Sequence, residues 1–223
     1  MSKELYQYLT QFISKNRVNL FEQIILNRTR YVTLVVENLY QPHNISAVLR
    51  SCDCFGIQDV HVIENGNKFS PDENISLGSQ KWLTVHRYHQ KENNTRDCLT
   101  ELKNRGYKVI ATSPHRDSVL IQDLPLDQKV AMVFGTEYEG ISEDVVDCAD
   151  GFVKIPMYGF TESYNISVAA ALTMYQIRQN LERMEIPWQL NEEQKWEILC
   201  AWAKKSIKMG EKIIEEYYQK RQL

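Results

Sequence analysis

The amino-acid sequence predicts an α/β fold: a parallel sheet with helices on both faces, extended by helices at each end of the chain. Short β-branched runs alternate with segments of helical periodicity along most of the sequence, a pattern typical of parallel α/β units. The runs at 31–36 and 130–134 are apolar, as expected of strands covered on both faces. With 223 residues, 43% hydrophobic and 25% charged, the composition suits one α/β domain with terminal additions.

The elements follow from the apolar periodicity, taken in order. The first helix is predicted at 3–26, and six strands at 31–36, 60–63, 82–85, 107–112, 130–134 and 152–155. Helices are predicted at 42–55, 93–105 and 163–184, and the polar stretch 65–80 is predicted to be a loop. Pro187 breaks the long helix, and Asn191 is expected to cap a last helix at about 192–220. We therefore expect a helical extension at 1–28, a central domain at 29–185 and a second extension at 186–223.

Composition also excludes several classes of protein. No apolar run approaches the roughly 20 residues that a membrane helix requires, and the first residues lack the apolar core of a secretion signal. The cysteine count is five, and none lie in a Cys-x-x-Cys pair, which argues against a disulfide framework or a zinc site. We expect a cytoplasmic protein without a metal.

Charge is distributed unevenly along a chain of net charge −3. Residues 1–30 carry five Lys/Arg against two acidic residues, and residues 191–223 carry seven against six, so the centre is acidic. Basic ends could form a phosphate-binding footprint. From charge alone, solvated helices of mixed charge are the better explanation.

The loop after the first strand leads into a helix with three residues of interest. Asn44, Ala47 and Arg50 are spaced three apart, which places them on one helix face. Small Ala47 allows close approach, and Asn44 and Arg50 would bracket a polar target. Arg50 follows an apolar stretch, where a cation needs a reason to be buried. An ion pair between Arg50 and Asp53, with Asn44 capping the helix, is the open alternative.

The loop after the fifth strand is rich in glycine. Gly135 at the strand end permits a tight turn and close approach of the backbone to a ligand. Glu137 would then lie at the carboxyl edge of the sheet, where open parallel sheets bind ligands. A simple turn in which Ser142 caps a short helix explains the same residues.

The loop after the sixth strand contains a proline and a glycine and enters the long helix. Ser163, Asn165 and Ser167 stand at the start of that helix, ahead of the alanines at 169–171. Capping accounts for one polar side chain at a helix start, but not for three in sequence.

In combination, the three loops resemble the three motifs of the SPOUT methyltransferases. Their order is Asn-x-x-Ala-x-x-Arg, then Gly-x-Glu-x-x-Gly after a strand, then Ile-Pro-Met-x-Gly followed by Ser-x-Asn-x-Ser and alanines. The resemblance covers residues 30–180. Within this superfamily the chain is similar to the tRNA (guanosine-18-2′-O)-methyltransferase group, both in the Gly-Ser-Gln-Lys-Trp stretch at 78–82 and in its helical extensions.

The resemblance implies a fold, an activity and a cofactor. It implies a deep trefoil knot in the C-terminal part of the 29–185 domain, a homodimer with each site at the subunit interface, and S-adenosylmethionine as cofactor. The implied reaction is methylation of a ribose 2′-hydroxyl in RNA, foremost guanosine 18 in the D-loop of tRNA. Positions that match the family's cofactor contacts are Thr112, Gly135, Ile155 and Tyr164. Several of these act through the backbone, so Tyr164 can replace the leucine common there.

The resemblance also assigns roles in the reaction. Arg50 matches the family's arginine, proposed to help deprotonate the 2′-hydroxyl, and Asn44 would orient Arg50 or the ribose. Glu137 would maintain the geometry of the site, and Asn165, supported by Ser163 and Ser167, would organise the cofactor loop. The ordinary arginine pKa of about 12.5 or higher makes this side chain a poor base at neutral pH. Stabilisation of the alkoxide and positioning of the phosphate are therefore equally open.

Contacts to RNA are expected from the basic residues near both ends and from His43, beside the first motif. The basic residues are Arg17, Arg28, Arg30, Lys204, Lys205 and Lys208.

Three other interpretations compete with this one. A 2′-O-methyltransferase acting on rRNA or another tRNA position is the nearest, and the acidic centre leaves room for a different RNA. A knotted RNA-binding factor without catalysis is disfavoured by the intact motif residues. A Rossmann dehydrogenase is excluded, because no glycine-rich phosphate turn follows the first strand.

Overall fold

The structure is a computed structural model that describes residues 2–113, 117–136 and 139–221. It divides into two compact units, a central unit (Arg30–Trp188) and a terminal unit (Met1–Thr29 with Gln189–Leu223). The boundaries expected from sequence, at 28/29 and 185/186, lie within three residues of this division.

The central unit is built on one sheet, which has seven strands in the described part of the chain. The strands are β1 (Val32–Glu37), β2 (Asp59–Ile63), β3 (Thr84–Tyr88), β4 (Lys108–Thr112), β5 (Val119–Leu120), β6 (Val130–Phe134) and β7 (Gly151–Lys154). They lie in the order β3–β2–β1–β6–β4–β7–β5, and every neighbouring pair is parallel. The carboxyl ends of β6, β4 and β7 therefore meet at adjacent positions along one edge.

Helices connect the strands and form the terminal unit. They are α1 (Lys3–Thr10), α2 (Lys15–Ile24), α3 (Pro42–Cys54), α4 (Glu73–Ser76), α5 (Thr95–Asn104), α6 (Glu143–Cys148), α7 (Ile166–Arg183), α8 (Glu192–Ser206) and α9 (Gly210–Gln219).

β1 lies inside the sheet with every residue buried, and its alternating side chains enter two hydrophobic clusters. Val32, Leu34 and Val36 belong to the cluster that contains the buried faces of α3 and α7. Val35 belongs to the cluster that contains α5 residues and Val145 of α6. Helices thus cover both faces, which confirms the predicted parallel α/β fold.

Several predicted elements differ from the structure. The single helix predicted at 3–26 is wrong: α1 ends at Thr10, and Ser14 starts α2 by accepting a hydrogen bond from the Arg17 backbone N–H at 3.4 Å. The loop predicted at 65–80 contains α4 and runs into the 3₁₀ turn Ser79–Lys81. β5 was not predicted, because a two-residue strand leaves no periodic signal.

Element boundaries also shifted at two helices and one strand. The strand predicted at 82–85 lies at Thr84–Tyr88, paired with β2. The helix predicted from 163 begins at Ile166, after its cap residue. The last helix divides into α8 and α9, with the extended residue Ile207 after the end of α8. Gly210, the first residue of α9, packs against the Lys204 carbonyl oxygen, where an added Cβ would lie only 2.2 Å away.

The terminal unit is a helical assembly with its own core. Leu5 and Leu9 of α1 are buried together with Phe21 of α2 and Trp202 of α8. The rings of Phe21 and Trp202 are 5.4 Å apart. None of the helices in the described residues is long and apolar enough to span a membrane.

Candidate active site

A cavity of about 740 Å³ opens at the carboxyl ends of β6, β4 and β7. The three strands end in, or run directly into, the lining residues Gly135, Thr112 and Ile155. Ser163 and Tyr164 line the cavity from the loop that precedes α7. The four positions predicted to contact the cofactor therefore surround one cavity together with Ser163 of the predicted cofactor loop, and Asn165 of that loop follows Tyr164 in sequence.

The glycine-rich loop after β6 depends on close packing of its own backbone. A Cβ at Gly135 would lie 1.9 Å from the Gly140 carbonyl oxygen and 2.5 Å from the Ile141 nitrogen. The Thr136 N–H donates to the Gly140 carbonyl at 2.8 Å, and the Gly140 N–H returns a bond at 3.2 Å. Any side chain at position 135 would force this ring of backbone apart, so the glycine is a steric requirement.

The cavity wall combines apolar side chains with carboxylates. Ile141, Ile155 and Ile166 contribute apolar surface, whereas Glu139 and Glu162 contribute acidic groups. The Thr112 hydroxyl is already engaged, because it donates to the Val133 carbonyl at 3.2 Å. The Thr112 hydroxyl can therefore still accept a hydrogen bond from a ligand but has no proton left to donate.

Asn165 is the residue that starts α7. Its Oδ1 accepts hydrogen bonds from the Ser167 N–H at 2.9 Å and from the Ser167 hydroxyl at 2.6 Å. Capping therefore explains Asn165 and Ser167 as a pair. Ser163 lies outside the helix, at the cavity, and Tyr164 is held by its hydroxyl, which donates to the Pro156 carbonyl at 3.2 Å.

The first and third loops meet through two asparagines. Asn165 Nδ2 donates to Asn44 Oδ1 at 3.2 Å, and Asn44 Nδ2 donates to Gln41 Oε1 at 3.2 Å. Asn44 is buried in the first turn of α3, which Gln41 and Pro42 begin, so it is not the cap residue. Two of the predicted catalytic positions are thus brought together, 121 residues apart in sequence.

Arg50 occupies a different environment from the one expected. It is exposed on α3, it does not line the cavity, and it forms neither a hydrogen bond nor an ion pair among the described residues. The expectation of a buried cation is wrong, because this position points away from the apolar face of α3. The alternative ion pair with Asp53 does not form either.

Glu37, at the carboxyl end of β1, was missed by the sequence-based reasoning. It is only 3% exposed and accepts three hydrogen bonds: from the Thr95 hydroxyl at 2.6 Å, the Ser142 hydroxyl at 2.7 Å and the Ser142 N–H at 3.1 Å. Ser142 in turn caps α6 through the Val145 N–H. Glu37 therefore anchors the far end of the glycine-rich loop, and a carboxylate ending an otherwise apolar strand was the available signal.

The residues predicted to contact RNA differ in whether their side chains are accessible. Arg28 cannot reach RNA, because it is 2% exposed and its guanidinium lies over the Trp202 ring at 5.3 Å. Arg30 is held by Asp59 at 3.2 Å, and Lys204 is paired with Glu211 at 2.8 Å. Desolvation, followed by the charge of Lys204, lowers the pKa of Lys205.

Exposed positions remain as candidates for RNA contact. Arg17, His43, Lys205 and Lys208 are all exposed. Glu137 lies outside the described residues. Within the described ranges, no group of three or more His, Cys, Asp or Glu side chains is arranged to hold a metal ion.

Comparison with known proteins gives the class to which this fold and cavity belong. The sequence profile of the SpoU rRNA Methylase family matches residues 31–175, and the chain belongs to this family. Among solved structures, the chain resembles the Aquifex aeolicus TrmH/SpoU tRNA modifying enzyme, with a TM-score of 0.74 and 30% identity over 85% of this chain and 95% of that one. The fold is therefore that of the SPOUT methyltransferases.

Particular relatives are similar over nearly the whole chain. The tRNA (guanosine(18)-2′-O)-methyltransferase of Borreliella burgdorferi is 38% identical over 200 residues, covering 90% of both chains. The enzyme of the same name from Aquifex aeolicus is 30% identical, covering 87% of this chain and 92% of the relative. The similarity includes the terminal helices as well as the central unit.

Proposed function

We propose that this protein transfers a methyl group from S-adenosylmethionine to a ribose 2′-hydroxyl of RNA, foremost that of guanosine 18 in tRNA. The observation that carries the proposal is the convergence of Thr112, Gly135, Ile155 and Tyr164 on one cavity at the sheet edge. Family membership and relatives named for this reaction, similar along 90% of both chains, support it.

The cavity fits S-adenosylmethionine in size and chemistry. Its volume of about 740 Å³ lies within the range of small-molecule sites. The apolar side chains Ile141, Ile155 and Ile166 suit an adenine ring, and the carboxylates of Glu139 and Glu162 suit a cation. The bound cofactor supplies an electrophilic methyl group on a positively charged sulfonium.

Backbone groups are proposed to hold most of the cofactor. Main-chain atoms near Ile155 and Tyr164 would bind the adenine, and the side-chain-free face of Gly135 would allow the closest approach. The hydrogen bond between Asn165 and Asn44 would hold the third loop against the first.

A homodimer is part of the proposal. Val168, Leu172 and Tyr175 lie on one face of α7, four and three residues apart, and are each 40–53% exposed. Such an apolar stripe on a helix is typical of a face that another chain covers. The Tyr175 ring also meets Phe55, the residue after α3, at 6.2 Å, which links this face to the helix that carries Arg50.

The dimer gives Arg50 its role. Arg50 does not line the cavity of its own chain and has no partner among the described residues, so its guanidinium is available to a second copy or to RNA. We propose that Arg50 of one copy acts at the cavity of the other. Its fork of N–H donors would hold the RNA phosphate and stabilise the 2′-alkoxide as the hydroxyl loses its proton to water.

Positioning accounts for the remaining chemistry. A 2′-hydroxyl is a weak nucleophile, so the protein must align it with the methyl group and exclude competing water. Asn44 is buried and bonded to both Asn165 and Gln41, so its proposed contribution is to keep the first and third loops aligned. Glu137 keeps its proposed role in the geometry of the site.

The trefoil knot and the cellular location also remain proposals. Family membership supports the knot in the C-terminal part of the central unit. All five cysteines are free thiols, which suits the reducing cytoplasm.

The test is methyl transfer from labelled S-adenosylmethionine to three RNAs: a tRNA transcript with guanosine 18, the same tRNA with 2′-deoxyguanosine at position 18, and total rRNA. We expect label on the first RNA only, in a nucleotide that resists alkaline cleavage on its 3′ side. If the protein binds the cofactor but transfers no methyl group to any RNA, the proposed methyltransferase activity is contradicted. Label on a base nitrogen would overturn the 2′-hydroxyl target.

The second candidate is a 2′-O-methyltransferase of rRNA. The matching family is described by rRNA methylation, and a Staphylococcus epidermidis relative, 30% identical over 71% of this chain, is named a putative tRNA/rRNA methyltransferase. Label on rRNA with none on either tRNA would favour this candidate.

A further inference from the structure

We propose that the terminal unit holds a second RNA-binding site, a pocket for one unstacked nucleotide between α1 and the C-terminal end of α9. The inference rests on the proposed function only for the identity of the ligand as RNA. The pocket lies entirely within the terminal unit and has a volume of about 400 Å³.

Aromatic rings form the first part of this pocket. Tyr8 of α1 and Tyr217 of α9 both line it, with ring centroids 5.0 Å apart and planes inclined by 43°. Phe12, 47% exposed, extends the aromatic surface with its ring 5.5 Å from that of Tyr8. Because Tyr217 is only 6% exposed, the partly exposed ring of Tyr8 and the exposed ring of Phe12 are the surface on which an unpaired base could stack.

The pocket rim offers what a nucleotide requires. Gln7 and Gln11 present amides one helical turn apart, each able to donate to and accept from a base edge. Lys220 and Arg221 supply positive charge for a phosphate, and the Arg221 guanidinium lies 4.5 Å from the centre of the Tyr217 ring. Glu4 is the acidic residue of the lining and could accept from a base amino group.

This combination distinguishes a nucleotide from other ligands. An apolar ligand would use neither the amides nor the positive charges of the rim, and a free phosphate would not use the rings. A nucleotide uses the rings, the amides and the positive charges at once. In the full-length protein, the pocket would add affinity for an unpaired nucleotide of the substrate RNA.

The experiment measures binding of fluorescein-labelled single-stranded RNA pentamers of A, C, G and U to the full-length protein. Tyr8→Leu keeps the apolar bulk but removes the ring, and should weaken binding of at least one pentamer about fivefold to a hundredfold. Tyr8→Phe, which keeps the ring, should bind the pentamers as tightly as the wild type. Lys220→Ser should weaken binding and flatten its salt dependence, whereas Lys212→Ser, the same change outside the pocket, should not.

A further variant guards against a folding defect. Gln7 and Gln11 are both exposed, so the double change to alanine leaves the core of the unit intact and should still weaken binding. Equal binding by wild type, Tyr8→Leu and the double variant would overturn the proposal. The proposal would also be overturned if Tyr8→Phe bound the pentamers as weakly as Tyr8→Leu.

Methyl transfer separates this inference from the proposed function. If the protein methylates tRNA, Tyr8→Leu should raise the KM for tRNA and leave the Kd for the cofactor unchanged. Methylation by Tyr8→Leu with an unaltered KM would contradict the nucleotide pocket but not the proposed methyltransferase activity. Ring-dependent binding of pentamers without methyl transfer to any RNA would support the pocket and contradict the proposed activity.

Discussion

At the scale of single residues, Glu37 shows how a side chain outside the cavity can control it. Its carboxylate is the common acceptor for Thr95 of α5 and Ser142, the cap of α6. Both donors lie on loops or helix starts at the carboxyl edge of the sheet, and the Thr95 hydroxyl also accepts from Asn65 at 2.9 Å. One buried charge thus ties three segments together.

Glu37→Gln should therefore lower both stability and cofactor affinity. The amide would place N–H donors against N–H and O–H donors, and hydrogen bonds to charged groups contribute about 1.5–3 kcal/mol. Urea unfolding and calorimetric titration with S-adenosylmethionine measure the two effects. Glu92→Gln, at an exposed carboxylate, is the control. Wild-type stability in Glu37→Gln would show that the network is unimportant.

Arg50 is the residue whose assigned role is easiest to test. Because Arg50 does not line the cavity, Arg50→Ala should lower turnover by about 100-fold to 1,000-fold, the usual effect of removing an oxyanion donor, while cofactor affinity stays unchanged. Arg50→Lys keeps the charge but loses the fork, so we expect intermediate turnover. Single-turnover methylation and a separate cofactor titration measure these values. Loss of cofactor binding in Arg50→Ala would refute the assigned role.

At the scale of elements, the loop after β6 is shaped by an exact steric fit at Gly135. Gly135→Ala would place a methyl group against backbone atoms of Gly140 and Ile141, which cannot move independently of the loop. We expect loss of cofactor binding and destabilisation of about 1–3 kcal/mol. Cofactor titration and urea unfolding measure the two effects.

Gly159→Ala is the matched control for the glycine prediction. It lies in the next motif loop, where an added Cβ meets nothing within 4 Å. Cofactor binding by Gly135→Ala equal to that of this control would contradict the steric argument.

The exposed apolar stripe of helix α7 allows the proposed homodimer to be tested. Leu172→Asp places a charge in the exposed apolar stripe with Val168 and Tyr175, and should convert the proposed dimer to monomers. Because Arg50 is proposed to act on the second copy, turnover should fall in parallel. Analytical ultracentrifugation across a concentration series measures the mass. Leu26→Asp, at a leucine of the terminal unit that is 59% exposed, is the control. A wild-type protein that is monomeric throughout would reject the dimer.

At the scale of the whole molecule, a buried histidine links stability to pH. His61 on β2 is fully buried, its ring stacks on that of His86 at 4.5 Å, and its Nδ1 lies 3.0 Å from the Tyr88 hydroxyl. Desolvation, followed by the charge of His86, lowers the pKa of His61 to about 3, although Asp59 opposes the shift. The folded protein therefore keeps this imidazole neutral where the unfolded chain would protonate it.

The sign of the pH dependence follows directly. As the pH falls below the unfolded pKa of about 6.5, the unfolded chain binds a proton that folded His61 refuses, so the free energy of unfolding decreases. Between pH 7.5 and pH 5 the loss should be about 2 kcal/mol. The lowered pKa of Asp59 acts only below this window, near its unfolded value.

His61→Asn tests this coupling, because the amide can replace the contact of Nδ1 with Tyr88. Urea unfolding at pH 7.5 and pH 5 should show that the variant has lost most of the difference, whereas His43→Asn, at an exposed histidine, keeps it. An unchanged pH dependence in His61→Asn would show that other groups cause it.

Much of this protein could be predicted from local signals. The apolar and β-branched runs predicted six of the seven strands in the described sheet, one of them with shifted bounds. The signal is clearest at β1 and β6, because burial on both faces leaves a continuous hydrophobic segment there. The helix breaks at Ser14 and just before Gly210 were missed, because a cap residue or a glycine within a periodic pattern does not by itself show whether the helix stops. Arg50 was placed wrongly because its neighbours in sequence are apolar but its own face of α3 is exposed.

By itself, the sequence determined the fold class, the family and the positions that line the cavity, because strand periodicity and motif spacing are local properties of the chain. Only the tertiary structure decided which side chains meet. Asn44 and Asn165 are 121 residues apart, and Glu37 bonds to residues 58 and 105 positions away. The pocket between Tyr8 and Tyr217 joins opposite ends of the chain. Such contacts depend on how the strands and helices pack, which no local pattern records.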